Sequence, residues 1–325
     1  AIRVEQNKAS IIDDRCICCG HCTQVCPTGA KKVRDGLIRA RYTIDMYPGK
    51  VYLSLAPTYV SEVGDMPVSG LIAAIRKLGF AGVSETALGA ELVSAKTQDY
   101  LESTGDNIYI SSACPVAVVY FRKYADSYSR NITPIVSPML AHAKILRDVY
   151  GDDIRIIFAG PCIGKKSESD EFGDLVDVAI TFQDLKEWIE MESSLPFDKP
   201  SDNPQDVFIP YTSRMGAMYP IEGGMLAGLT KPSRPVYYMA FSGLDTIREV
   251  LVKLDETPHR DPIFLELLAC DGGCVNGPAR LSKTSMAFKR YEVLNRCETG
   301  DPLRDFGRLD LHTEFAPTPQ DITCA

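Results

Sequence analysis

The 325 residues point to roughly two domains of ~150 residues, and 45% hydrophobic with 24% charged residues are ordinary for a globular chain with a sizeable core. Forty-three acidic residues against 35 basic ones leave a net charge of −8, which argues against nucleic-acid binding through phosphates. No apolar run approaches the ~18 residues a membrane span needs, and no signal-peptide pattern opens the chain, so a cytoplasmic location is expected. The anomaly is the cysteine count, eleven, with a dense group between Cys16 and Cys26.

A disulfide framework fits poorly, because such scaffolds belong to small exported domains and an odd count leaves a thiol over. Scattered core thiols account for single cysteines but not for the group. Metal ligation is the best single account. Residues 16–27 read CICCGHCTQVCP, so Cys16, Cys19, Cys22 and Cys26 give C-x2-C-x2-C-x3-C-P, the bacterial ferredoxin spacing for a 4Fe–4S cluster. Short gaps let one loop turn three thiolates onto a cubane; Gly20 frees that loop and Pro27 stops it. A zinc knuckle is the alternative. Either Cys26 closes the same cubane or a remote thiol does, with Cys18, Cys297 and Cys324 as spare candidates.

In chain order, Lys50–Pro57 reads as a buried strand, Val68–Gly79 as a helix closed by glycine, and Phe80–Glu85 as a strand. A helix follows over Thr86–Leu101, then a strand over Asn107–Cys114 and a helix over Val116–Ala125. Ile132–Ser137 and a helix over Met139–Tyr150 complete a first run. Strand-like segments resume at Asp153–Cys162, Leu175–Phe182, Val236–Gly243 and Ile263–Cys270, with helices at about Asp184–Glu192, Leu244–Glu256 and Ser282–Arg296. Pro196–Pro204 reads as a loop. Apolar strands alternating with helices imply an α/β fold of mostly parallel sheets covered on both faces. Two lobes are expected, split near Gly151.

Cys114, Cys162 and Cys270 share one address, the carboxyl end of an apolar strand beside proline or glycine (SSACP, AGPCIG, LACDGGC). Ligand sites in open parallel sheets lie there, so two facing lobes would bring these thiols toward a common cleft. Cys274 joins them, because Gly272 and Gly273 let Cys270-x3-Cys274 fold back. Four convergent thiolates suit zinc or an iron–sulfur cluster. Two of them standing alone on separate strands favours a buried cubane over zinc.

These residues resemble the FeFe-hydrogenases, whose active site is the H-cluster. The family's signatures TSCCP, MPCxxK and a C-x3-C preceded by ExMA appear as SSACP (Ser111–Pro115), GPCIGK (Gly160–Lys165) and ELLACDGGC (Glu266–Cys274), in the same order. The resemblance implies that Cys114, Cys162, Cys270 and Cys274 hold the cubane of the H-cluster. Cys274 would also bridge to a di-iron subsite carrying CO, cyanide and a dithiolate. Lys165 matches the lysine that donates to a cyanide ligand; the bland alternative is a solvated lysine like Lys166. Ser137–Met139 and Met215–Leu226 resemble segments lining the family's pocket.

The departures matter as much. Catalytic members carry a proton-shuttling cysteine where this chain has Ala113, and the signature methionines are Gly160 and Leu268. Lys96 and Thr97 fall at or near the expected relay glutamates, leaving Glu91, Asp99 or water as substitutes. This combination resembles the sensory branch of the family, with low turnover. The alternative is a hydrogenase-like iron–sulfur scaffold or assembly protein without a di-iron centre.

The expected organisation is a ferredoxin-like iron–sulfur domain over residues 1–48, lobe one over 49–151 and lobe two over 152–325, with the active site in the cleft between the lobes. Expected partners are H2 and protons, a ferredoxin-like or C-terminal iron–sulfur redox partner, and maturation proteins, with room for a homodimer. The chain lacks the PAS-type segment such proteins carry and starts without Met, so a truncated chain is expected. His21, His259 and His312 are expected in exposed positions and His142 in a structural one.

Overall fold

In the computed structural model, the described residues are 1–6, 8–63, 66–192, 199–230, 233, 235–254, 261–297 and 306–316. Cys324, His259 and part of the Pro196–Pro204 loop lie outside them.

The chain opens with an exposed antiparallel hairpin, β1 (Ile2–Glu5) and β2 (Lys8–Ile11), then the cysteine loop, the short α1 (His21–Val25) and α2 (Leu37–Met46). β3 (Val51–Leu55) enters the core, followed by α3 (Tyr59–Val63), α4 (Val68–Lys77), β4 (Gly82–Glu85) and the long α5 (Ala87–Ser103). Next come β5 (Ile108–Ile110), α6 (Pro115–Tyr124) and α7 (Pro138–Tyr150). Both helices start on a proline at the first turn, where the missing N–H has no intrahelical acceptor to lose. β6 (Arg155–Gly160), α8 (Gly164–Glu171), β7 (Val178–Thr181) and α9 (Phe182–Glu192) follow. The last elements are β8 (Tyr237–Ser242), α10 (Leu244–Leu254), β9 (Ile263–Leu268) and α11 (Met286–Arg296).

The strands form a four-stranded parallel sheet, β4-β3-β6-β7, and a three-stranded parallel sheet, β5-β9-β8. β4, β7 and β9 are buried along their whole length, as expected of strands covered by helices on both faces. The fold is therefore the expected α/β class. No helix among the described residues is long and apolar enough to cross a membrane.

The sheets correct the expected division at Gly151. β6 and β7, after that point, pair with β3 and β4 from before it, while β5 crosses to join β8 and β9. Apolar runs identify buried strands but not their neighbours, and parallel pairing through crossover helices leaves the order open. Two strands are also shorter than expected. β5 ends at Ile110 because Cys114 is already the cap of α6. β7 begins only at Val178, where the Asp177 carboxylate accepts the Ile156 N–H at 2.8 Å in place of a ladder bond. Ile132–Ser137 makes only isolated bridges, Ile132 to Ile110 and Ile135 to His312.

Candidate metal centre

The four strand-end thiols come from both sheets. Cys162 follows β6 of the larger sheet; Cys114 and Cys270 follow β5 and β9 of the smaller one, and Cys274 opens a 3-10 turn four residues later. All four line one cavity, together with Ala113, Lys165, Met139 and Tyr219. The Cys270–Cys274 loop needs its glycines: Gly273 has φ +104°, and a Cβ there would stand 2.3 Å from Pro220 O. The Gly272 N–H donates to Ser242 Oγ at 2.9 Å, and Ser242 Oγ donates to Glu222.

Electrostatics test what these thiols could hold. Burial pushes the Cys162 thiol up to about 11, with the neighbouring Cys114 adding to the effect. Burial likewise raises Cys270 well above its ordinary value and raises Cys274, each with its neighbouring cysteines contributing. Left alone, Cys162, Cys270 and Cys274 favour the neutral thiol; as thiolates they demand positive charge from whatever fills the cavity. Among the described residues no three His, Cys, Asp or Glu side chains converge as a single metal ion would require. Four soft donors standing round a cavity fit an iron–sulfur cluster, whose irons supply that charge.

Lys165 is 8% exposed and lines the cavity, so it is not a solvated surface lysine. Its Nζ donates to Ser137 Oγ and Glu168 Oε2, both at 2.7 Å. Lys166 is also buried, bonded to Ala179 O at 3.0 Å and paired with Asp184 at 3.2 Å, so it too departs from the exposed position expected. The methyl of Ala113 lines the cavity next to Cys114. On α5, Thr97 is fully buried and Lys96 donates to Gly307 O at 2.5 Å. Asp99 is exposed, whereas Glu91 is buried, with its Oε1 accepting the N–H groups of Arg214 and Gly216. Burial pushes the Glu91 carboxyl above its usual range.

The N-terminal loop docks onto this centre. A Cβ on Gly20 would stand 2.5 Å from Ile163 Cδ1 and 2.7 Å from Pro278, residues beside Cys162 and just past Cys274. Cys19 packs into the apolar cluster that contains Cys114, and its charge bears on Cys270. Cys16 caps a 3-10 turn; Cys18, at φ +57°, donates its N–H to Cys16 Sγ at 3.4 Å. Cys22 lies on α1. The Cys26 thiol is drawn down to about 7 by its hydrogen bond with Thr28. Cys297 does not line the cavity; at the end of α11 its thiol donates to Val293 O at 3.1 Å among Ala87 and Ala217.

Residues 49–234 match the family described as iron only hydrogenase large subunit, C-terminal domain. The chain belongs to that family. It is 24% identical to iron hydrogenase 1 of Clostridium pasteurianum over 82% of this chain and 58% of that protein. It is 23% identical to the NADP-reducing hydrogenase subunit HndD of Solidesulfovibrio fructosivorans over 95% of this chain and 64% of that one. The chain thus spans about six tenths of the length of these two curated relatives. Among solved structures, a variant of the [FeFe]-hydrogenase HydA1 from Chlamydomonas reinhardtii superposes with a TM-score of 0.62 at 16% identity, covering 87% of this chain and 99% of that one. A structure of HydA(deltaEFG) gives 0.61 at 18% identity, with the same coverage. These superpositions establish the fold.

For this iron-only hydrogenase family member, several residues at or behind the cavity lie outside the cysteine motifs. Tyr219, in the Met215–Leu226 stretch, lines the cavity, whereas Met215 lies in a second pocket with Glu91, Ser94 and Arg214. The Tyr219 hydroxyl meets Ser94 Oγ at 2.9 Å and so joins the two. Of the two residues that hold Lys165, Ser137 lies in the Ser137–Met139 segment singled out in the sequence, whereas Glu168, three residues past GPCIGK, stands at no motif position.

Proposed function

We propose that this chain is an FeFe-hydrogenase of the sensory kind. It would interconvert H2 with protons and electrons slowly, at an H-cluster held by Cys114, Cys162, Cys270 and Cys274. Electrons would pass to a 4Fe–4S cluster held by Cys16, Cys19, Cys22 and Cys26 in residues 1–48, and onward to a ferredoxin-like or iron–sulfur partner. The observation that supports this reading is the cavity wall: four cysteines and Lys165 line it together, and alanine stands at residue 113, where the family's catalytic members would carry a proton-shuttling thiol.

A di-iron subsite, inserted by maturation proteins, would supply the metal chemistry for splitting H2 when bound. The chain's own residues do the rest. Cys274, on a turn fixed by two glycines, would join that subsite to the cubane. Lys165, held by Ser137 and Glu168, would offer a charge-assisted hydrogen bond to an anionic diatomic ligand in a largely apolar cavity. Heterolysis needs a proton exit, and a positioned acid–base group is worth 10²–10⁴-fold, so the loss of one gives slow turnover. The substitute exit is the hydroxyl pair Tyr219–Ser94, which leads from the cavity to the pocket lined by Glu91 and Arg214. Such a centre suits reporting H2 or redox state in the cytoplasm better than consuming H2 in bulk.

Infrared spectroscopy after maturation tests the reading. CO and cyanide stretching bands are expected. Their absence, in a sample shown to have received the di-iron precursor, would sink it and leave a scaffold holding cubanes alone.

A further inference from the structure

Helix α11 is turned in an unusual way. It leaves Phe288 and Tyr291 in solvent, 67% and 61% exposed, yet buries Lys289 to 1%. An ammonium in that position is costly unless its donors are matched. Both its acceptors come from the turn that follows Cys274: Val275 O at 3.2 Å and Asn276 Oδ1 at 3.3 Å. Asn276 in turn donates through Nδ2 to Asp271 O at 3.0 Å. One ammonium therefore braces the whole Cys270–Cys274 loop, at the Cys274 side directly and at the Cys270 side through Asn276. Arg280 grips the same turn, donating to Asn276 O at 3.1 Å and Gly277 O at 3.2 Å, but it is exposed and its charge is screened by water.

We infer that Lys289 is a positioning residue of the strand-end cluster, one that fixes the C-x3-C loop and places a buried positive charge behind it. The inference rests on the reading that Cys270 and Cys274 ligate a cubane. Cluster potentials follow net charge, hydrogen bonding and burial around the ligands. A cation behind the ligand loop favours the reduced cluster, so Lys289 raises the cubane's potential. Glu62 accepts the N–H groups of Leu281 and Ser282 at 2.6 and 2.7 Å and lines the same outer cavity as Lys289, so it offsets part of that charge. Removing the lysine still makes the surroundings one unit more negative.

The test is an EPR-monitored redox titration of the full chain carrying its cubanes before maturation, as wild type, Lys289→Met and Lys289→Arg. Two one-electron waves are expected in the wild type. In Lys289→Met one wave moves to lower potential and the other stays, while Lys289→Arg keeps both near their wild-type positions. Two unmoved waves in Lys289→Met overturn the inference, as does an equal shift in the Met and Arg variants, which would mark a packing role alone. If Lys289→Met fails to hold iron, Lys289→Gln takes its place, keeping a donor for Asn276 without the charge. The same single-wave shift is expected, and no shift overturns the inference. A wild type with iron and sulfide for one cubane only overturns the ligand reading itself, a result distinct from two cubanes with unmoved potentials.

Discussion

Arg296 Nη2 lies 2.9 Å from Glu85 Oε1, an ion pair between residues 211 apart in sequence, with the Glu85 side chain only 1% exposed. Burial pushes the Glu85 carboxyl up, and Arg296 together with the N–H and hydroxyl of Ser213 pulls it back. The next residue, Thr86, lines the thiol cavity. Helix α11 thus reaches neighbours of two cavity-lining residues, Lys289 bonding Val275 and Asn276 next to Cys274 and Arg296 pairing with Glu85 next to Thr86. Arg296→Met should cost about 3–5 kcal/mol in urea unfolding, because it strands a buried carboxylate. Adding Glu85→Gln should recover most of that. A loss below about 1 kcal/mol in the single variant, or no recovery in the double, would show that the pair contributes little.

Gly273 has no room for a side chain. A Cβ would meet Pro220 O at 2.3 Å and Ile221 Cα at 2.9 Å, both backbone atoms, and φ +104° is a region L-residues rarely adopt. Backbone strain of about 1–3 kcal/mol falls on the turn that presents Cys274. In Gly273→Ala, iron and acid-labile sulfide should drop from two cubanes' worth to one. Wild-type iron in that variant would mean that the loop does not ligate a cluster.

The convergence of the four thiols on one cavity was legible because Cys114, Cys162 and Cys270 follow apolar strands, whose carboxyl ends are where parallel sheets place sites, and Gly272 and Gly273 fold Cys274 back toward them. The sheet each strand joins was not legible. Nothing in the residues of β5 says that it pairs with β9 and not with β3, since both are apolar strands. The supporting cations were hidden for a related reason. Lys289 and Arg296 look like the polar face of a surface helix, and only packing reveals that this face is turned inward. Lys166 misled in the same way.

His142 is completely buried between Ser54 Oγ and Ser84 Oγ, each 2.8 Å from a ring nitrogen. Burial drives its pKa down to about 3. Below pH ~6.5 the unfolded chain takes up a proton that the native state refuses, so stability falls as pH drops from there toward 3. The full window is worth on the order of 5 kcal/mol, and the stretch from 6.5 to 5 about 2 kcal/mol. His142→Gln keeps hydrogen-bonding capacity without a titrating ring. Urea midpoints measured from pH 7.5 down to 5 should fall less steeply in that variant; parallel curves would place the acid sensitivity elsewhere.

Ala113 and Tyr219 line one cavity, so under the proposed proton path the effects of changing residue 113 and Ser94 should interact. With alanine at residue 113, the proposed route runs through the 2.9 Å contact between Tyr219 and Ser94. Ser94→Ala in the matured protein should therefore lower H2 turnover several-fold. Ala113→Cys should raise it, toward the ~10²-fold scale of one restored acid–base group. In the double variant the thiol carries the proton, so losing Ser94 should have almost no further effect. Additive changes would mean that Ser94 acts on folding or cluster assembly, a point settled by the iron content of each variant. An unchanged or lower rate in Ala113→Cys would remove the missing thiol as the cause of slow turnover, and with it the main argument for a sensor over a catalyst.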